Sequence, residues 1–201
     1  MVTAVVFARL VTCVMVLGCV SGGQPPDQRD AIVTKGLRLL EEGRYREAAN
    51  VFEEAWEADP SDALVGENYA LCLLHGRRAV SEAMDVLEKV RALGGWSSVL
   101  VFHIHENAFL SGGVTSDFCA GRLRVGKDVL VFESSNPAHS VRLEASQVRR
   151  IRLNRLLGST EKAFHIETIQ KKKINFRPAS APEETYPVIE RLVLNLISRK
   201  E

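Results

Sequence analysis

A chain of 201 residues with 46% hydrophobic and 25% charged side chains is built like an ordinary globular protein, with room for one medium domain or two small ones, and not like a disordered segment. A formal net charge of +1 argues against a dedicated nucleic-acid binder. The charge is nevertheless split. Residues 27–93 carry 14 acidic and 9 basic side chains, whereas residues 94–201 carry 11 and 16, so two modules of about −5 and +5 are expected, attracting each other or presenting opposite faces to partners.

The first 19 residues read as a targeting segment. One basic residue, Arg9, precedes the apolar run Leu10–Leu17 and then Gly18-Cys19. That run is too short for a spanning helix, which needs about 20 apolar residues. Counting back to Val2 would lengthen it to a membrane anchor but would put Arg9 in its middle, at high cost. The stretch "VLGC" (Val16–Cys19) resembles the lipobox of bacterial lipoproteins, with Val16, Gly18 and Cys19 matching and Leu17 bulkier than usual. The resemblance implies lipidation of Cys19 and attachment to a bacterial membrane on its extracytoplasmic side; ordinary secretion and an uncleaved anchor are the alternatives. Residues 20–28, small, polar and proline-bearing, suit a flexible tether. Of the four cysteines, Cys72 and Cys119 then remain; an exported pair raises a disulfide, but both lie in apolar periodic runs where a thiol packs as a small hydrophobe, and two buried thiols are the preferred reading.

From Asp30 the apolar period is helical. Val33, Gly36, Leu37, Leu39 and Leu40 share one predicted helix, and Ala48, Val51, Phe52, Ala55 and Trp56 share the next. "EEGRY" turns between them, "ADPSD" stops the second, and Asp62 is placed to cap a third helix, "ALVGENYALCLLHG". A fourth, "AVSEAMDVLEKVRALGG", ends at Gly94-Gly95. Residues 29–62 resemble a tetratricopeptide repeat (TPR), with Gly36, Leu39, Tyr45, Ala48, Phe52, Ala55 and Pro60 at that family's spacings. Residues 63–95 read as a second, degenerate copy, with one extra residue near Gly76–Arg78.

Two repeats are fewer than the three or so that stack an independent core. The helical face therefore needs a cover: the C-terminal half, a second copy of the chain, or a partner protein. The resemblance implies a partner groove lined by Val33, Leu37, Leu40, Glu67, Asn68, Leu71 and His75; interhelix core is the competing reading for the leucines. The basic clamp with which some family members hold a terminal carboxylate is missing at the matching positions.

Beyond Gly95 the pattern alternates. "SVLVFHIHEN", "DFCAGRLRVG", "DVLVFES", "HSVRLEA", "VRRIRLN", "AFHIETI" and "KINFRP" predict about seven short antiparallel strands, and residues 184–199 a final amphipathic helix. Open edges invite aggregation, so a small barrel is expected, with the helix over one opening. Seven strands and a closing helix over residues 97–201 resemble the pleckstrin-homology (PH)-like superfold, including its GRAM type. The fold class expected is thus α+β: helical hairpins followed by an antiparallel barrel.

No hydrolase or phosphate-loop signature occurs, and no cofactor is expected. His103 and His105 share one face of a predicted strand, as two metal ligands would, but surface or hydrogen-bonded imidazoles are the preferred reading. Arg149, Arg150, Arg152 and Arg155, with Lys171–Lys173, form a basic surface that is either solvated or set against anionic lipid headgroups. Aromatics are not interleaved with these charges, which argues against nucleic acid. The expectation is a non-catalytic, membrane-tethered adaptor for a protein partner, with an anionic-lipid-binding module as the alternative.

Overall fold

The computed structural model describes residues 26–105, 118–154 and 162–198. Cys19, residues 20–25 of the expected tether and Arg155 lie outside these residues, whereas residues 26–28, expected in the tether, already belong to the first helix. Four helices come first: α1 (Pro26–Glu41), α2 (Tyr45–Ala58), α3 (Ala63–Cys72) and α4 (Val80–Ala92). They form two antiparallel hairpins. Their tight approach explains the small residues: a Cβ on Gly36 would stand 2.5 Å from the Phe52 ring. Asp62 caps α3 as expected, its carboxylate accepting from the backbone N–H groups of Leu64 and Val65. It also receives Arg29 Nε at 2.7 Å, which ties the start of α1 to the second hairpin.

The extra residue of the second repeat is absorbed in one place. Helix α3 runs into a π turn over Leu73–Arg77, and Arg78 then takes a left-handed conformation (φ 55°) before α4. A π turn is how a helix accommodates one residue too many, and here it keeps Ala83, Val86, Leu87 and Val90 on the buried face of α4.

Seven strands follow: β1 (Ser97–Ile104), β2 (Phe118–Val125), β3 (Val129–Ser134), β4 (Val141–Glu144), β5 (Val148–Leu153), β6 (Phe164–Thr168) and β7 (Lys173–Pro178). All pairings are antiparallel, in the order β4-β3-β2-β1-β7-β6-β5. The sheet is open, which corrects the expected barrel. Strand β4 has only four residues, the chain crosses to β5 through a 3-10 turn at Ala145–Gln147, and the register of β5 is irregular between Val148 and Arg150. Short, irregular strands bearing Arg142, Glu144, Arg149 and Arg152 on exposed or half-exposed positions protect these edges without closure.

Helix α5 (Pro182–Ile197) starts two residues earlier than its apolar stripe suggests, because Pro182 fits the first helical turn. It packs across one face of the sheet and does not plug an opening. Tyr186 of α5 meets Phe164, which stacks on Phe176, and Phe176 meets Phe132 edge-on at 5.2 Å. In β1 this inward face is carried by Val99, Val101 and His103, while Leu100, Phe102 and Ile104 lie on the other face. The other face of β1 and β2 is not solvent; it lies against α3. Buried apolar side chains form one contiguous cluster from α1 to α5, so both halves share a core.

Candidate partner-binding surface

Helix α3 and the π turn that continues it position four of the seven groove residues, and the chain itself occupies the space in front of them. Glu67, 2% exposed, accepts two hydrogen bonds from Arg124 of β2 (Nε 2.9 Å, Nη2 2.8 Å) and one from Ser98 Oγ of β1. Arg122 stands 3.9 Å from the same carboxylate and donates to Asn68 Oδ1. Burial pulls the Arg122 guanidinium below its ordinary pKa, and Glu67 opposes this. Arg124 also reaches Glu133 and lies over the Trp96 ring, 4.8 Å from its centre. Farther along, Leu71 is fully buried, and His75 is clamped between modules. Its Nε2 accepts the Leu100 N–H at 3.2 Å while Nδ1 meets Ser180 Oγ. That pairing demands a neutral ring, and burial, with Arg122 nearby, pushes its pKa down to about 4.

The sheet is therefore the cover that two repeats lacked. The acidic partners come from the helices and the arginines from the sheet side, which is the −5/+5 split realised as contacts; Arg191 of α5 on Glu88 of α4 is a second case. On α1, Val33 is buried against neighbouring helices, whereas Leu37 and Leu40 are half-buried and remain reachable. Beside them a cleft of about 510 Å³ opens between the α1–α2 turn and the π turn, lined by Arg44, Arg46, Glu47, His75 and Arg78 among others.

The predicted basic surface is partly neutralised. Arg149 and Arg150 both bind Glu167, which is nearly fully buried, at 2.8 Å. Arg150 first, then Arg149, holds that carboxyl below the usual range. Arg152 and Lys171–Lys173 remain exposed.

His103 and His105 are not simple surface residues. His103 packs against Phe132 and Phe176, and both imidazoles approach Cys119 of β2: His105 Nε2 at 3.4 Å and His103 Nδ1 at 3.8 Å from Sγ. Burial, then His105 and His139, press the His103 pKa down to about 4, leaving it neutral near pH 7. His139 sits edge-on to His105 with ring centres 4.3 Å apart, whereas His165 lies apart, its Nδ1 bonded to Asn154. Cys119 was the ligand type that sequence spacing did not supply; the β1–β2 register, which pairs His103 with Cys119, supplies it. Cys72 and Cys119 are both buried and unpaired, as the apolar runs suggested.

The chain is an α+β protein whose two helical hairpins are buttressed by an open antiparallel sheet. Residues 39–94 match the family model of the tetratricopeptide repeat. No curated protein matches the chain. Among solved structures it is similar to the C-terminal domain of an unknown protein from Leishmania infantum. Identity is 15% and the TM-score 0.39, over 49% of this chain and 82% of that one, a likeness too weak to bear on fold or function. Among the described residues no helix is long and apolar enough to cross a membrane.

Proposed function

We propose that the chain is a non-catalytic docking protein, tethered through Cys19 to the extracytoplasmic side of a bacterial membrane, that holds a partner protein on its helical module. The observation carrying this reading is the tetratricopeptide match over residues 39–94, since that family acts in protein–protein interaction. The second repeat is engaged internally by the sheet, so the partner is assigned to the α1 side, at Leu37 and Leu40, with the adjoining arginine-lined cleft as its polar margin. Seven strands followed by a helix keep the element order of the PH-like superfold, but the sheet acts here as a brace. The lipid-headgroup alternative has the smaller basis, because Glu167 already takes up Arg149 and Arg150.

The test is photo-crosslinking in cells from a residue introduced at Leu37, compared with one at the exposed Leu194 of α5. A discrete adduct from Leu37 only, lost in Leu40→Asp protein of unchanged circular dichroism, is the expected result. Identical adduct patterns from both positions would remove the docking assignment. Cys19→Ala should separately release the protein from membranes; retention after that change would remove the tether.

A further inference from the structure

We propose that His103, His105 and Cys119 form a zinc-binding site at the Ile104–Phe118 end of the β1–β2 pair, with a fourth coordination position facing the adjacent cleft. The three candidate donor atoms, Nδ1, Nε2 and Sγ, all lie within 4.8 Å of one another. Zinc takes nitrogen at about 2.0–2.1 Å and thiolate at about 2.3 Å, so tetrahedral donors stand roughly 3.3–3.8 Å apart. The two sulfur–nitrogen separations, 3.4 and 3.8 Å, already have that spacing. Closing the site requires only that the imidazoles draw together.

The scaffold suits the task. His103 lies on β1, His105 directly follows its last residue, and Cys119 faces His103 across the ladder, so backbone hydrogen bonds fix two of the three donors. Phe132 and Phe176 wall the inner side of His103 and limit its rotation. A mixed thiolate and imidazole set is the donor chemistry of zinc rather than of magnesium or calcium.

A separate observation points the same way. A cleft of about 380 Å³ is lined by His103, His105, His139, Lys172 and Asn175, among others. Within it His139 Nδ1 is buried with no hydrogen-bond partner among the described residues. A buried unsatisfied nitrogen calls for a partner that the protein alone does not provide. A water or anion on the fourth zinc position, in reach of that ring, would provide it. Lys172 and Lys173 on the cleft oppose a bare cation, and zinc binding releases the Cys119 proton as the thiolate ligand forms.

The experiment uses the full chain, reduced with a phosphine, stripped by chelator and titrated with Co²⁺ and then Zn²⁺. The expected result is one ion per chain, with visible Co²⁺ bands of a tetrahedral site and a thiolate-to-cobalt charge-transfer band that Zn²⁺ displaces. Cys119→Ser should abolish the charge-transfer band and weaken zinc binding at least about tenfold, the loss typical of altered metal shells. Because Cys119 is buried, His105→Ala at the half-exposed strand end serves as a second variant, with the same tenfold weakening. Circular dichroism checks the folding of both. No saturable binding to folded, reduced protein, or unchanged affinity in a folded variant, would overturn the site.

Discussion

Replacing Glu67 by Ala tests whether the sheet is a structural partner of the repeats or merely a neighbour. The carboxylate is 2% exposed, takes two charge-assisted bonds from Arg124 and one from Ser98, and faces Arg122. Removing one partner of a buried ion pair costs about 3–5 kcal/mol, chiefly through the charge left behind. Arg122 and Arg124 keep 24% and 21% exposure, so water can reach them and the lower end, about 3 kcal/mol, applies. Urea unfolding followed by tryptophan fluorescence is the assay. Trp56 lies in the helical core and Trp96 beside Arg124, so the two report from the repeats and the junction. Arg142→Ala, which breaks the exposed Arg142–Glu144 pair, should change stability by less than about 0.5 kcal/mol and is the internal reference. A double-mutant cycle with Arg124→Ala should return a coupling energy of about 2 kcal/mol. If Glu67→Ala costs under about 1 kcal/mol, or coupling is near zero, the sheet does not hold the repeats through this contact.

Two further outcomes follow from the packing. His75 is neutral in the fold with its pKa lowered to about 4, so the unfolded chain binds a proton first as pH falls. Its contribution is complete above the ordinary value near pH 6.5 and is lost between there and about pH 4, on the order of 3 kcal/mol. His75→Gln should flatten that part of the stability–pH curve, and a slope equal to wild type would refute the assignment. At Gly121, an added Cβ would meet Glu133 O at 2.4 Å and the Phe132 ring at 2.5 Å. Gly121→Ala should thus cost about 1–3 kcal/mol, read as a drop in Tm of several degrees, and an unchanged Tm would show that β3 yields freely.

The helices and strands were legible because each announces itself within a few residues. Asp62 ahead of an apolar run, a glycine after one, and alternation such as "VLVFES" are local signals, and the helical surplus residue near Gly76 surfaced as the π turn. What was not legible depends on distant partners. Alternation in β1 separated His103 from Leu100 but could not say which side faces α5, since α3 covers the other. Nor could spacing show that Glu167 of β6 would take Arg149 and Arg150 of β5, or that Cys119 would stand opposite His103. Closure into a barrel failed on strand length, because four residues in β4 offer too short an edge to join β5.

The braced α3 face also fixes the direction in which such an array can be lengthened. A repeat inserted after α4 would need the space held by β1 and by the Arg191–Glu88 contact, and would have to expel Arg124 from Glu67. Among the described residues a repeat grafted ahead of α1 meets no such obstacle, and the half-buried Leu37 and Leu40 still offer apolar surface. For an engineer the molecule is a terminal piece with one blind end and one growing end.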